Sequence, residues 1–254
     1  MHVLVCVKRV PVTGGRITLT PDEQEIDTRY LGFTISPHEE CGVEEAVRLI
    51  EQHGGASVVL TLGPPEAEAQ LRDAMALGVD RAILLETDGA DWEPMATARA
   101  ISRAIRKEET ANGAFDLVLF GNESADSGGF QVGVRVAHAL GRSCLTGVKA
   151  IDVEEGGVVV RREAADGWEV FELPLPAVLT VREGLNLPRY PSMPGRLKAK
   201  KKPLERIAPE HTPGGQRKVR LMDPPDRGKA VEVLGSGPEA APRVVEILRK
   251  AGVL

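Results

Sequence analysis

The sequence contains few cysteines, and none of them is spaced for a disulfide framework or a metal site. Cys6, Cys41 and Cys144 are widely separated, with no CxxC pair and no histidine-rich stretch beside them. Three isolated cysteines are typical of a protein from a reducing compartment. We therefore expect no metal ligands among them.

Long apolar runs are also absent. No stretch approaches the roughly 18 apolar residues that a membrane-spanning helix needs. The first residues lead almost directly into HVLVCV, without the pattern of a secretory signal or an Arg-rich leader. These features predict a cytoplasmic protein with no membrane insertion.

Acidic residues outnumber basic ones, 37 to 32, which gives a formal net charge of −5. This balance argues against a general nucleic-acid-binding protein. The concentrated basic run lies in GRLKAKKKP and contains Lys198, Lys200, Lys201 and Lys202. Such a run is typical of a solvated helix end, and it can alternatively contact an acidic protein surface. Because no aromatic residues are interleaved with these lysines, a nucleic-acid-binding module has little support.

Recognisable catalytic motifs are missing. The chain has no GxSxG, no GxxxxGK[ST], and no Cys/His or carboxylate pair with a catalytic spacing. We therefore predict no catalytic residues, and an ordinary hydrolase is disfavoured.

The first 145 residues alternate short apolar runs with amphipathic stretches. The pattern predicts strands over 2–7, 56–62, 81–86 and 116–121, and helices over 39–51, 65–77 and 94–107. A small hairpin is predicted over 16–30. The alternation predicts an α/β fold with a doubly wound, mostly parallel, Rossmann-like sheet.

After residue 147 the pattern changes to that of an antiparallel hairpin region. Turn signals at 156–157 and 166–167 separate three predicted strands, and another buried strand follows over 177–181. A Pro- and charge-rich stretch then precedes a short helix over 239–249. We assign residues 1–206 to an α/β nucleotide-binding domain and 207–254 to an extended C-terminal arm. The arm either packs on another polypeptide or is a flexible tail.

The segment 116–133, DLVLFGNESADSGGFQVG, is the best candidate binding site. A buried strand ends at Gly121, a polar loop follows, and a helix pattern then begins, as in ligand sites at the carboxyl ends of parallel strands. Loop hydroxyls and glycine amides could hold a phosphate at the start of the helix. Because the loop has acidic residues and no lysine or arginine, binding is favoured over phosphoryl transfer. The alternative is a simple chain reversal.

The sequence SPHEE marks a loop that turns into a helix. Ser36 and His38 could approach a ligand there. Ser36 is equally suited to cap the helix, and His38 to be a solvated turn residue.

Taken together, five segments resemble the beta subunit of electron-transfer flavoprotein. They are LVCVKRVP, SPHEECGVEEAVRL, LGVDRAILLE, DLVLFGNESADSGGFQVG and LPAVLTVREGLNLPRYPSMPGRLKAKKKP, in the order of the family. The resemblance implies a heterodimer with an alpha subunit that holds most of the FAD, while this subunit binds AMP as a structural group. It also implies docking of acyl-CoA and related dehydrogenases of fatty acid β-oxidation, with electrons passing through the flavin to a quinone oxidoreductase.

By position, the resemblance implies a set of AMP contacts on the first strand, the SPHE turn, the second long strand and the polar loop. These are Cys6, Ser36, Pro37, His38, Glu39, Leu62, Gly121, Asn122, Glu123, Ser124, Ala125, Asp126, Ser127, Gly128, Gly129, Phe130, Gln131 and Val132. It also implies a docking loop over about 184–202, in which Met193 stands at the family's leucine anchor.

The chain departs from the family pattern at several positions. His38 replaces a Phe and Thr13 replaces a Tyr that lie near the flavin ring, and the polar loop is less acidic than usual. The favoured function is an AMP-binding, partner-docking subunit without catalysis of its own. One alternative is a second FAD in place of AMP, as in electron-bifurcating relatives; their loop usually has a proline that is absent here. Another is a stand-alone ATP-hydrolysing enzyme.

Overall fold

The computed structural model of the protein describes residues 1–12, 14, 17–223 and 232–254. They form two compact units, Met1–Val219 and Arg220–Leu254. The first unit contains the sheet and five of the helices defined below, and the second contains the last helix.

The described residues contain eleven strands and six α-helices. The strands are β1 (His2–Cys6), β2 (Val10–Pro11), β3 (Phe33–Thr34), β4 (Ala56–Gly63), β5 (Arg81–Glu86), β6 (Leu117–Gly121), β7 (Ser143–Glu154), β8 (Gly157–Ala164), β9 (Gly167–Pro174), β10 (Ala177–Val181) and β11 (Leu204–Ile207). The helices are α1 (Pro37–His53), α2 (Glu68–Leu77), α3 (Pro94–Asn112), α4 (Val132–Leu140), α5 (Met193–Ala199) and α6 (Ala241–Lys250). Short 3₁₀ helices, Pro65–Ala67 and Gly237–Ala240, precede α2 and α6.

Nine strands form one sheet in the order β11-β5-β4-β1-β6-β10-β7-β8-β9. The strands from β11 to β7 are parallel to their neighbours, and β7, β8 and β9 pair in antiparallel fashion. The predicted α/β fold, with a mostly parallel sheet and an antiparallel hairpin region, is confirmed.

Alternate residues of β1 belong to two different hydrophobic clusters. Val3 and Val5 pack with residues of α1 and α2, whereas Leu4 and Cys6 pack with residues of α3 and α4. Since side chains alternate across a strand, the two clusters lie on opposite faces of the sheet. Helices therefore cover both faces, and this explains why the parallel strands read as continuous apolar runs.

The predicted hairpin over 16–30 has only part of the expected pairing in the described part of that segment. Leu19 and Ile26 form an isolated bridge. The regular pairing lies on either side of the segment, between β2 and β3. A two-stranded sheet therefore closes the base of this insertion; residues 13, 15 and 16 lie outside the described ranges.

Besides β2 and β3, the strand β11 and the helix α5 of the first unit were not predicted as such. The strand β11 adds to β5 at the edge of the large sheet, and the short helix α5 forms within the segment 184–202.

Lys202, at the end of that segment, is not a solvated lysine: its Nζ donates to the carbonyl oxygens of Met75, Gly78 and Val79 at 3.0, 3.1 and 2.7 Å. It thus satisfies free carbonyls at the end of α2.

The second unit contains the helix α6, none of whose residues is buried. Its apolar residues Val244, Val245 and Ile247 are exposed. The helix predicted over 239–249 is therefore present, and its side chains at Val244, Val245 and Ile247 are exposed among the described residues. Among the described residues, no helix has both the length and the apolar character needed to cross a membrane.

Candidate functional site

A cavity of about 390 Å³ lies where the loop after β6 meets the start of α1. It is lined by Ser36, Pro37, His38, Glu123, Ser124, Ala125, Asp126, Ser127, Gly128 and Glu183. Its volume is within the range of small-molecule sites, roughly 300–1,000 Å³. The structure thus brings the SPHE turn and the polar loop together at the carboxyl end of a buried parallel strand, where α/β sheets bind ligands.

Ser36 connects the two sides of this cavity. It occupies the N-cap position of α1 and is only 1% exposed. Its hydroxyl oxygen accepts a hydrogen bond from the backbone N–H of Ala125 at 2.9 Å. Ser36 therefore marks the helix start and also fixes the middle of the polar loop.

Glu39 is a buried carboxyl group in the first turn of α1, three residues after Ser36. Its Oε1 accepts from the backbone N–H of Lys8 at 2.9 Å, and its Oε2 accepts from that of Ser36 at 3.0 Å. Burial raises the pKa of Glu39 to about 8, although both hydrogen bonds act in the opposite direction. A β-carbon added to Gly121 would lie 2.7 Å from Cγ of Glu39. Glycine therefore allows the end of β6 to approach this carboxyl group.

Glu39→Gln is expected to flatten the pH dependence of stability. The pKa of Glu39 is about 8 in the folded chain and about 4.5 when unfolded, so the folded state binds the extra proton between these values. The protonated Glu39 contributes to the free energy of unfolding in full below about pH 4.5. This contribution is lost as the pH rises through about 8. Urea unfolding of both proteins across this range is the measurement. Parallel curves for wild type and variant would contradict the shifted pKa.

Lys8 supplies a positive charge to the loop. Its Nζ lies 2.5 Å from Oδ2 of Asp126 and 4.0 Å from Oδ1 of Asp91. Burial opposes ionisation of Asp126, but the adjacent Lys8 ammonium prevails and lowers the pKa of the carboxyl. Sequence reasoning missed Lys8 because it considered only the loop itself. The available signal was the position of Lys8 just after β1, a strand parallel to and paired with β6.

His38 bridges the polar loop and the segment that follows β10. Its Nδ1 accepts from the backbone N–H of Glu183 at 2.7 Å, and its Nε2 lies 3.3 Å from Oε1 of Glu123. An Nδ1 that accepts carries no proton, so the neutral ring has its hydrogen on Nε2, directed at Glu123. His38 is therefore a bridging residue rather than a solvated turn residue.

Internal bonds shape the rest of the polar loop. The hydroxyl oxygens of Ser124 and Ser127 lie 2.8 Å apart, and Gly128 donates its N–H to the Ser124 carbonyl at 3.0 Å. Gly128 has φ +54°, a conformation that favours glycine. Asn122 holds the base of the loop, since its Oδ1 accepts from the Gly147 N–H at 2.9 Å and from the Thr180 hydroxyl at 2.8 Å.

The remaining residues predicted to bind AMP do not line this cavity. Cys6 is buried, and burial raises the pKa of its thiol. Leu62 is half-buried against the same face of the sheet, and Gly129 and Gln131 lie just before α4, which begins at Val132. Phe130, 56% exposed, lines a separate cavity of about 370 Å³. Their predicted AMP contacts remain predictions, and Thr13 lies outside the described residues.

The predicted docking loop, residues 184–202, presents apolar side chains at the surface. Leu187, Tyr190 and Met193 are 91%, 96% and 72% exposed. Leu185, by contrast, packs against the core cluster that contains α1. Met193 is the first residue of α5, whose N-cap Ser192 accepts the Gly195 N–H at 3.1 Å. The loop is therefore folded, with Leu185 packed inward and Leu187, Tyr190 and Met193 exposed at the surface.

No group of three or more His, Cys, Asp or Glu side chains that could hold a metal ion occurs in the ranges that the structure describes. Hydroxyl groups and the carboxylates of Glu123, Asp126 and Glu183 line the cavity, and Lys8 pairs with Asp126.

Comparison with known proteins gives the family. The sequence profile of the electron transfer flavoprotein domain matches residues 25–212. The chain is 33% identical to the electron transfer flavoprotein subunit beta of Thermoanaerobacterium thermosaccharolyticum, with 100% of both chains covered. It is 31% identical to the same subunit of Bacillus subtilis, with 98% of each covered. It is also 34% identical to the caffeyl-CoA reductase-Etf complex subunit CarD of Acetobacterium woodii, over 80% of this chain and 77% of the relative. The chain therefore belongs to the electron transfer flavoprotein family, as a beta subunit.

Proposed function

We propose that this subunit binds AMP as a structural group and docks electron-donating dehydrogenases to an FAD-containing heterodimer, without catalysis of its own. The single observation that carries the AMP assignment is the cavity between Ser36 and the loop after β6. It offers two adjacent hydroxyl groups, those of Ser124 and Ser127, beside the start of α1. A helix N-terminus with free N–H groups favours a phosphate.

Charge compensation supports the fit of an adenylate. The carboxylates of Asp126 and Glu123 would repel a phosphate if they stood alone. Lys8 pairs with Asp126, which reduces the repulsion from that carboxylate, and the Nε2–H of His38 donates to Glu123. The carboxylate of Glu183 also lines the cavity. The same residues give no group placed to transfer a phosphoryl unit, and a stand-alone ATP-hydrolysing enzyme gains no support from them.

For the redox group, FAD held mostly by an alpha subunit would accept and release the electrons. His38 is the residue of this chain that the family pattern places near the flavin ring. Its Nε2–H donates to Glu123, and its Nδ1 accepts from the backbone N–H of Glu183. We therefore assign His38 to holding the polar loop and the chain after β10 together at the subunit surface.

Partner contacts are assigned to two surfaces. The docking loop, with Met193 as its apolar anchor, contacts acyl-CoA and related dehydrogenases. The C-terminal arm, residues 207–254, packs on the alpha subunit, and the uncovered apolar residues of α6 support this assignment. We place the complex in the cytoplasm, with a quinone oxidoreductase as electron acceptor.

Nucleotide analysis of the purified heterodimer tests this function. The chain is coexpressed with the alpha subunit, the complex is isolated by size exclusion, and its small molecules are released by denaturation and quantified. We expect AMP and FAD in equal amounts. A complex with no AMP and twice as much FAD as heterodimer would replace AMP with a second flavin, and failure to form a complex would contradict the subunit assignment.

A further inference from the structure

Arg189 holds the first half of the docking loop on helix α1. Its Nε and Nη2 donate to the carboxylate of Glu44 at 2.9 and 3.0 Å, and its Nη1 and Nη2 donate to the carboxylate of Glu51 at 2.7 and 2.9 Å. The backbone N–H of Arg189 also donates to Glu44, at 3.1 Å. Glu44 and Glu51 are seven residues apart, which is about two turns of one helix. A planar guanidinium can bind both carboxylates in this bidentate way.

The burial of Glu44 makes this contact costly to lose. Glu44 is only 4% exposed, although it lies on the same helix as exposed Glu51. Breaking a buried ion pair on one side leaves an uncompensated charge in a poorly solvated place. The loop backbone at Arg189 is therefore tied to α1 more strongly than a surface salt bridge would tie it.

Asn186, three residues before Arg189, also bonds to α1. Asn186 donates its Nδ2 to the carbonyl of Cys41 at 3.0 Å and to Oε2 of Glu45 at 2.8 Å, both on α1. Leu187, between Asn186 and Arg189, and Tyr190, directly after Arg189, have almost fully exposed side chains. Polar residues of the segment thus face the helix and apolar residues face outward.

The second half of the loop is fixed to α2 instead. Arg72 donates its Nη1 to the carbonyls of Ala199 and Lys202, both at 2.8 Å. A β-carbon on Gly195 would lie 2.5 Å from the carbonyl oxygen of Ala76, so α5 packs closely on α2. Met193 lies between the two supports, at the junction of the extended segment and α5.

We propose that Arg189 is a positioning residue for docking: its two forks to α1 set the backbone of residues 186–192 so that Leu187, Tyr190 and Met193 face an incoming protein. This inference rests on the proposed docking function. It adds that the apolar anchor depends on a polar clamp that does not itself contact the partner. It also means that α1 supports two sites, since its first turn lines the nucleotide cavity and its later turns hold the docking loop.

The test uses the FAD-loaded heterodimer with Arg189→Gln, Arg189→Lys and, as a matched control, Arg48→Gln. Arg48 lies on α1, the helix that Arg189 contacts, and carries the same charge as Arg189. Its contact with Glu45, at 3.7 Å, is longer than the contacts of Arg189 with Glu44 and Glu51. Hydrogen exchange of the amides of 186–192 and steady-state electron transfer from a purified acyl-CoA dehydrogenase are measured. With Arg189→Gln we expect exchange in 186–192 and the apparent KM for the heterodimer to rise roughly tenfold, with kcat and the exchange of 121–132 unchanged. Arg189→Lys should be intermediate, because an ammonium cannot form both forks.

A double variant separates the loss of the Arg189 contacts from the destabilisation that an unpaired buried Glu44 would cause. Arg189→Gln combined with Glu44→Gln removes the buried charge and leaves α1 intact, yet we expect the same loss of protection and the same rise in KM. Unchanged exchange in Arg189→Gln, or an equal effect from Arg48→Gln, would overturn the proposal, as would increased exchange with an unchanged KM. A wild-type heterodimer that accepts no electrons from the dehydrogenase would instead overturn the docking function, and increased exchange in Arg189→Gln would still support the clamp.

Discussion

Met193→Glu is expected to lower the efficiency of electron transfer from an acyl-CoA dehydrogenase to the heterodimer by roughly a hundredfold. Met193 is the first residue of α5 and is 72% exposed, so its replacement leaves the core of the subunit unchanged. If this side chain enters an apolar pocket on docking, a carboxylate there would be buried without a counter-charge. The effect therefore falls on association rather than on folding.

The reduction rate of the heterodimer's FAD, followed at increasing heterodimer concentration, separates these possibilities. We expect a raised apparent KM, an unchanged kcat and unchanged amounts of AMP and FAD in the purified complex. Met193→Leu is the matched control, because it keeps an apolar side chain of similar volume and is expected to dock within a few-fold of wild type. A Met193→Glu complex with an unaltered KM would place the apolar anchor elsewhere in the docking loop.

The large sheet could be predicted because its central strands are buried on both faces. In β6 the run from Leu117 to Phe120 is wholly buried, and Gly121 ends it. The loop after this strand was identified for the same reason: the change from apolar to polar residues is local in the sequence. Its position beside the start of α1 follows from the doubly wound topology.

The edge of the sheet was harder to predict because pairing, not local pattern, determines it. In β11, Glu205 and Arg206 are exposed between half-buried Leu204 and Ile207, so the strand has no alternation of buried and exposed residues. Arg206 instead forms ion pairs with Glu68 and Glu86 across the neighbouring elements. Such a strand forms because β5 offers an unpaired edge, which a single segment of sequence does not reveal.

The charge of the candidate site could not be read from the loop alone. Lys8 is 118 residues from Asp126 in the sequence, and His38 is 85 residues from Glu123, yet each pair is in contact. The loop considered by itself is acidic. Once the strands are assembled, both of these carboxylates have a basic neighbour. The prediction of a binding site therefore gains support from Lys8, which sequence reasoning had left out, and from His38, which it had proposed as a ligand contact or a turn residue.

Gly121→Ala is expected to disrupt the nucleotide cavity even though it adds a single methyl group. The added carbon would lie 2.7 Å from Cγ of Glu39 and 3.4 Å from its backbone nitrogen. Glu39 is buried and bonded to the backbone at Lys8 and Ser36, so it has little room to move. Relief of the overlap must shift the first turn of α1 relative to the loop after β6. We expect unfolding free energy to fall by about 1–3 kcal/mol, as for other overpacked positions.

The same shift should release the nucleotide, because Ser36 and His38 belong to the displaced turn and line the cavity. AMP recovered from the Gly121→Ala heterodimer should fall roughly tenfold relative to protein, which corresponds to about 1.4 kcal/mol of binding free energy. Gly63→Ala is the control: Gly63 also ends a buried parallel strand, but its added carbon would lie 3.5 Å from Cβ of Ala67, an ordinary contact. Equal AMP content in the two variants would mean that the nucleotide does not depend on the approach of β6 to Glu39.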